Sequence, residues 1–323
     1  QQKTKVQPLR IKRLQNRIAE SKFALPAVTV YTILVWLVGG LFSHQQWVTF
    51  GCTVIAGYLM VELNNQNSLM RIYSRMVSCS FLVLLNMANF LFSSSETLAT
   101  ILSFVAFYLF FFHAYQDKTA SGWVFYAFLC LGIGSIFFVQ LLFYIPVLWL
   151  LMAFRILSFS PRTLFASILG LLVPYWFVGG YLAYSGETDT LMAHLVELTT
   201  FSPILDYSCL NPEHVMSLTL VGILGFTGMG HFWHSSYKDK IRTRMIYEIF
   251  IAIFWTTLVF MALQPRHFDK LLGILIINTS PLIAHFIALT HTKITNIAFL
   301  LIIIGTLTMT VINLLITNQL WTF

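Results

Sequence analysis

The stretch Gly122 to Phe154, GWVFYAFLCLGIGSIFFVQLLFYIPVLWLLMAF, runs for 33 residues without a formal charge. One membrane crossing takes about 17 to 25 apolar residues, so the stretch is a single overlong helix, a re-entrant pair or two short crossings. Its flanks decide between them. Lys118 precedes it and Arg155 and Arg162 follow it, and short-loop cations collect on the cytoplasmic side of a membrane. Both ends therefore belong on one side, which requires a hairpin turning near Phe138 to Gln140.

Working outward, 58% of the 323 residues are hydrophobic and 10% are charged, against about 25% charged in a soluble domain. That excludes a soluble globular enzyme. Long continuous apolar blocks, rather than short alternating strands, predict an all-α polytopic transmembrane bundle. Spans are expected near 25–43, 47–63, 76–94, 97–115, 122–138, 140–156, 163–184, 216–235, 245–264, 271–289 and 294–317, about eleven in all, with the N-terminus cytoplasmic and the C-terminus outside. With this parity 17 of the 19 Lys and Arg residues fall inside, and only Arg266 and Lys270 fall outside. The outer loop 185–215 carries Glu187, Asp189, Glu197, Asp206 and Glu213 and no Lys or Arg. The formal charge of +7 is thus a topological signal and no nucleic-acid partner follows from it. The expected location is the bacterial inner membrane.

Two regions are expected: a basic amphipathic segment over 1–24, and one transmembrane domain over 25–323. The apolar run from Leu25 to Phe42 has no A-x-A cleavage site before the next span, so it is expected to stay as an anchor. Within Pro8 to Phe23, Ile11, Leu14 and Ile18 recur at helical spacing among Arg10, Lys12, Arg13, Arg17 and Lys22. This fits a helix on anionic lipid as well as it fits a solvated topogenic tail. Cys52, Cys79, Cys130 and Cys209 form no C-x-x-C pair, so neither a disulfide framework nor a zinc site is expected.

Several groups could carry chemistry. Outside, Gln264-Pro265-Arg266-His267-Phe268-Asp269-Lys270 crowds two cations, an imidazole and a carboxylate between two spans. Arg266, His267 and Lys270 are candidates for binding a lipid phosphate; an Arg266 to Asp269 pair is the plainer alternative. In the tenth span, Asn278, Ser280 and His285 flank Pro281 and could line a polar pocket, or simply serve a kinked packing helix. On the cytoplasmic side Arg71 and Arg75, after the polar run Glu62 to Ser68, are expected to share a helix face at i,i+4, a spacing able to hold one phosphate or a pair of lipid headgroups. The alternative is a loop that only sets orientation. Glu62 and Glu248 are expected to be neutralised by Arg71 and Arg244. His231 and His234 stand at i,i+3 but lack an evident third ligand, so no metal is expected, and no organic cofactor either, since no P-loop, dinucleotide, G-x-S-x-G or H-E-x-x-H motif occurs. Gly222, Gly225, Gly228 and Gly230 are expected to form a close-packing helix face.

The runs Glu62 to Arg71, Leu131 to Phe138 (LGIGSIFF), Leu169 to Trp176 (LGLLVPYW) and Asn278 to His285 (NTSPLIAH) resemble a family of uncharacterised polytopic inner-membrane proteins of Bacteroidota, and the resemblance covers most of the chain. Some members carry a carotene-monooxygenase label. That chemistry needs clustered His ligands for iron, and the nine histidines here are scattered. More distantly, the rhythm of apolar hairpins and the outer loop after Tyr181-Leu182-Ala183-Tyr184-Ser185-Gly186 is similar to the membrane region of lipid-linked-sugar glycosyltransferases of the GT-C type. That likeness implies a polyprenyl-phosphate-linked sugar or lipid as substrate and a carboxylate in the first outer loop. Here that loop is Ser43-His44-Gln45-Gln46, so a catalytic carboxylate would have to be Glu96, Glu187, Asp189 or Asp206. Two other functions remain open: a non-catalytic membrane subunit or scaffold of an envelope assembly or export complex, held by a membrane protein partner, and a lipid or solute transporter.

Overall fold

The computed structural model describes residues 13–201 and 207–317. Within them it is all helical: α1 (Leu14–Glu20), α2 (Ala24–Val38), α3 (Trp47–Asn67), α4 (Met76–Met87), α5 (Ser95–Phe111), α6 (Ser121–Phe137), α7 (Ile145–Leu151), α8 (Pro161–Ser185), α9 (Thr188–Val196), α10 (Pro212–Ser235), α11 (Ile241–Leu263), α12 (Phe268–Leu289) and α13 (Lys293–Thr317). Eight helical segments are long and apolar enough to cross a membrane, or nine if α1 and α2, bent by 88°, count as one; α4 and α6 are apolar but shorter. The chain is a multi-pass membrane helix bundle.

The 33-residue neutral stretch is a hairpin. α6 stops at Phe137, Phe138 leaves helical geometry (φ −150°, ψ 89°), and a 3-10 turn over Val139–Tyr144 leads into α7. The two ends of the hairpin meet: the Gln116 amide donates to the Ile156 carbonyl (2.7 Å), and Ser160 Oγ donates to the Lys118 carbonyl (2.9 Å).

The axis of the bundle is α12, with 18 of its 22 residues buried. A helix apolar all round has no face to offer water or lipid selectively, so it belongs inside, and α4, α5, α10 and α11 pack round it. Peripheral helices show the reverse pattern. The buried stripe of α8 is Thr163, Ala166, Ser167, Gly170 and Pro174, while Leu169, Leu172, Trp176 and Phe177 are exposed. Lipid is as apolar as leucine, so the small residues turn inward, where they let backbones approach. A Cβ on Gly170 would lie 2.5 Å from the Phe125 carbonyl oxygen of α6. The glycines of α10 divide: Gly225 faces the Phe254 ring and Gly228 the backbone of Leu282, but Gly222 and Gly230 face open space.

Polar contacts sort the helix ends into two poles. Arg242 Nη2 donates to Asn67 Oδ1 (2.8 Å) and to the Phe112 carbonyl (3.1 Å), joining the ends of α3 and α5 to the start of α11. Arg155 pairs with Glu248 at 2.9 Å, so the partner of Glu248 is not Arg244, and Glu62 is met by Gln66 Nε2 (2.6 Å) rather than by Arg71. Every described Lys and Arg except Arg266 and Lys270 lies at this basic pole. At the opposite pole Lys270 Nζ donates to Glu96 Oε2 (2.7 Å) and to the Phe137 carbonyl (3.0 Å).

Three segments differ from or add to what the sequence leads one to expect. The span expected at 76–94 breaks after twelve residues of α4, where Asn313 Nδ2 on α13 takes the Met87 carbonyl (2.7 Å) and Asn89 Nδ2 donates to the Thr310 carbonyl (3.1 Å). The basic segment forms a helix that buries Gln15, Asn16 and Ala19 and leaves Leu14 exposed, because Gln15 Nε2 and Asn16 Nδ2 donate to the Ile287 and Thr290 carbonyls at the end of α12 (2.6 and 2.9 Å); Lys3, Lys5, Arg10, Ile11 and Lys12 lie outside the described residues. The outer loop contains α9, which folds back over the hairpin turn as His194 Nε2 meets the Ser135 carbonyl at 3.0 Å.

Candidate functional site

Four ionisable side chains form a continuous chain at the basic pole. α3 ends at Asn67, and Ser68 takes a left-handed conformation (φ 48°), after which Asn64 Nδ2 captures the Ser74 carbonyl (2.9 Å). The resulting loop is not helical, so Arg71 and Arg75 share no helix face. Arg75 contacts Tyr73 and Asn65, whereas Arg71 reaches across the pole and places Nε 2.7 Å from Asp239 Oδ1. Asp239 sits between α10 and α11 with its side chain fully buried, and its Oδ2 is 3.2 Å from Nε2 of His285, also fully buried on α12. Nδ1 of His285 lies 3.2 Å from Nδ1 of His231 on α10. Aromatic rings wall the pair: Tyr247 packs edge-on to His285 at 5.0 Å, and Phe286 lies beside His231 at 5.6 Å.

The helices hold these groups by close packing. The approach of Gly228 to Leu282 brings α10 against α12 one turn before His231 and His285, and the Tyr247 hydroxyl donates to the Pro281 carbonyl (3.3 Å) from α11. One turn further in, the Tyr108 hydroxyl donates to Asn278 Oδ1 (2.6 Å), and Asn278 Nδ2 donates to the Ile274 carbonyl (2.7 Å). Ser280 Oγ bonds back to the Ile276 carbonyl (2.6 Å). Asn278 and Ser280 are therefore satisfied inside the core, and of the three pocket candidates only His285 joins a titratable chain. His231 pairs with His285 and not with His234; among the described residues no three His, Cys, Asp or Glu side chains converge on a metal position.

At the opposite pole the candidates are only partly gathered. Glu96 and Lys270 form an ion pair, and His214 Nε2 lies 3.4 Å from Asp269 Oδ1, so Asp269 is not the partner of Arg266. Arg266 is exposed, and His267 packs against Phe138 at 5.4 Å. Glu187 and Asp189 are exposed at the start of α9, and Asp206 lies outside the described residues. Beside this cluster an apolar cleft of about 480 Å³ opens between the hairpin and α11, lined by Phe143, Tyr144, Val259, Phe260, Leu263 and Gln264. The cleft ends two residues short of Arg266. A second apolar cleft, of about 370 Å³, separates α2 from α13 over α4.

Sequence reasoning missed Asp239 and misassigned His231. The usable signal was that Asp239 is the sole carboxylate in the basic run Lys238 to Arg244, just after α10, and that α10 and α12 each carry a histidine near that pole. Compared with known proteins, the chain matches no family model, no curated protein and no solved structure.

Proposed function

We propose that the chain is an eleven-crossing protein of a bacterial inner membrane, related to the polytopic Bacteroidota proteins it resembles, and that it binds a polyprenyl phosphate or a lipid-linked sugar at its outer face. The basic pole is cytoplasmic under the positive-inside rule, which puts the N-terminus inside and the C-terminus outside. The observation that carries the lipid reading is the cleft between the hairpin and α11. Its volume of about 480 Å³ falls within the usual range for ligand pockets, roughly 300 to 1,000 Å³. Its apolar wall suits a hydrocarbon chain, and it leads to Gln264 and the exposed Arg266, where a phosphate would be met. Lys270, already held by Glu96, positions the pole and leaves Arg266, among the described residues, as its free cation. Among the described candidate carboxylates, Glu96 is the one that a cation of this pole fixes in place, and it is the group a sugar-transfer reaction would use.

Native mass spectrometry of gently solubilised protein tests this reading. Wild type should retain a polyprenyl phosphate or a sugar-linked form of it, and Arg266→Ala or the cleft-filling Val259→Trp should lose it while remaining folded. Retention of bulk phospholipid alone, or of a protein subunit with no lipid phosphate, would overturn the proposal; the second result would favour a scaffold.

A further inference from the structure

The chain Asp239, His285, His231 sets its own proton positions. A carboxylate oxygen 3.2 Å from His285 Nε2 can only accept, so Nε2 carries hydrogen. A neutral imidazole has one N–H, which leaves His285 Nδ1 as a bare acceptor. The facing atom, His231 Nδ1 at 3.2 Å, must then be protonated, since one hydrogen and no more fits between two ring nitrogens. His231 Nε2 is thereby left as a bare lone pair. The side chains of His285 and Asp239 are fully buried, whereas His231 is half-buried.

We propose that these three residues form a proton relay whose open end is His231 Nε2, so that the basic pole holds a general-base site for a proton from water or from a protonated ligand. The transfer balances: as a proton binds His231 Nε2, the hydrogen on His231 Nδ1 passes to His285 Nδ1. His231 is again neutral, now in the Nε2–H form, and His285 becomes an imidazolium donating Nε2–H to Asp239 and Nδ1–H to His231. Asp239 meets Arg71 through Oδ1 and His285 through Oδ2, so the new cation is received without moving the Arg71 contact. Among the described residues, the ionisable groups facing the relay are Arg71 from the loop after α3, Asp239 from the loop after α10, His234 from α10 and Tyr247 from α11. Buried ionisable residues of membrane bundles are costly, and they mark ion pathways, proton relays or counter-ions. The inference stands independently of the lipid reading, because the outer cleft lies at the other pole.

The test is ring-nitrogen NMR on the full chain, ¹⁵N-labelled at histidine, in lipid nanodiscs. Near neutral pH His231 should be the Nδ1–H tautomer and His285 the Nε2–H tautomer. On acidification His285 should become doubly protonated while His231 inverts to Nε2–H, the two changes following one titration curve. In Asp239→Asn, His285 should stay neutral and His231 should titrate by itself. An Nε2–H tautomer for His231 at neutral pH, or acidification that protonates His231 and leaves His285 neutral, would overturn the relay. A failure of Asp239→Asn to fold leaves the decision with the wild-type tautomers, which distinguish a relay from a fixed structural network.

Discussion

Replacing Gly228 by alanine should do more harm than any other single methyl group on α10. The added Cβ would lie 2.5 Å from the carbonyl carbon and 2.7 Å from the carbonyl oxygen of Leu282. Ordinary contact is about 3.5 to 4.0 Å, and a backbone cannot swing aside as a side-chain tip does. Relief therefore needs α10 and α12 to part by about 1 Å. His231 and His285 stand three residues beyond Gly228 and Leu282, so the same displacement would carry their Nδ1 atoms from 3.2 Å past hydrogen-bonding range. Overpacking costs about 1 to 3 kcal/mol, and the lost hydrogen bond about 1 kcal/mol more. The gain in helix propensity of alanine over glycine returns about 1 kcal/mol, for a net loss of about 1 to 3 kcal/mol. Gly222→Ala and Gly230→Ala, whose Cβ atoms meet nothing within 4 Å, should be neutral or mildly stabilising. SDS-titration unfolding of the three variants in mixed micelles measures the difference, and the histidine ring resonances report the geometry. A Gly228→Ala protein as stable as Gly230→Ala, with its His231 tautomer unchanged, would refute the packing argument.

Arg71→Met should cost about 3 kcal/mol, because it strips a buried carboxylate of its cation, whereas Arg75→Met should fall within about 0.5 kcal/mol of wild type; the same unfolding titration compares them. Ser160 caps α8, accepting from the Thr163 amide (3.3 Å) while donating to the Lys118 carbonyl, so Ser160→Ala should lose about 1 kcal/mol and speed amide exchange at Thr163. In the loop before α6 the Thr119 hydroxyl, and then its amide, hydrogen-bond the exposed Asp117 and hold its carboxyl below the ordinary carboxylate value. That tie is fully present above the ordinary value and is lost as pH falls through the lowered one, so protection of the Thr119 amide should disappear only in that acid window, and in Asp117→Asn, which keeps an acceptor but does not titrate, it should not change with pH.

What the sequence disclosed depends on how far apart the deciding residues lie. The turn at Phe138 was legible because its cause, the matching charges at Lys118 and Arg155, flanks the segment directly. The break in α4 was not, since the side chains that take up its loose polar ends, Asn313 and Thr317, sit on α13 more than 200 residues away. Arg71 and Arg75 looked paired because i,i+4 spacing has meaning only inside a helix, and Ser68 had already ended it. Of the candidate residues, His285 was visible as an imidazole in an apolar span. Its partners were hidden, because Asp239 reads as one charge in a topogenic loop and His231 has a nearer decoy in His234. Glu96 and Lys270 were each singled out, but their pairing spans 174 positions and no local pattern announces it.

The placement of α12 has a consequence for how the protein is made. Its neighbours α4, α5, α10 and α11 all precede it in the chain, so a ribosome feeding segments into the membrane delivers the centre of the bundle after its walls. Until Phe268 to Leu289 arrives, those four helices hold inward faces with nothing to pack on, and the groove they share has to stay open to the insertion machinery. A chain stopped before α12 is thus a ring without a hub, whereas one stopped after it lacks, among the described helices, α13 alone, which buries four residues. Quality control in the cell would meet a sharp boundary there, with nascent chains vulnerable up to residue 267 and largely settled some twenty residues later.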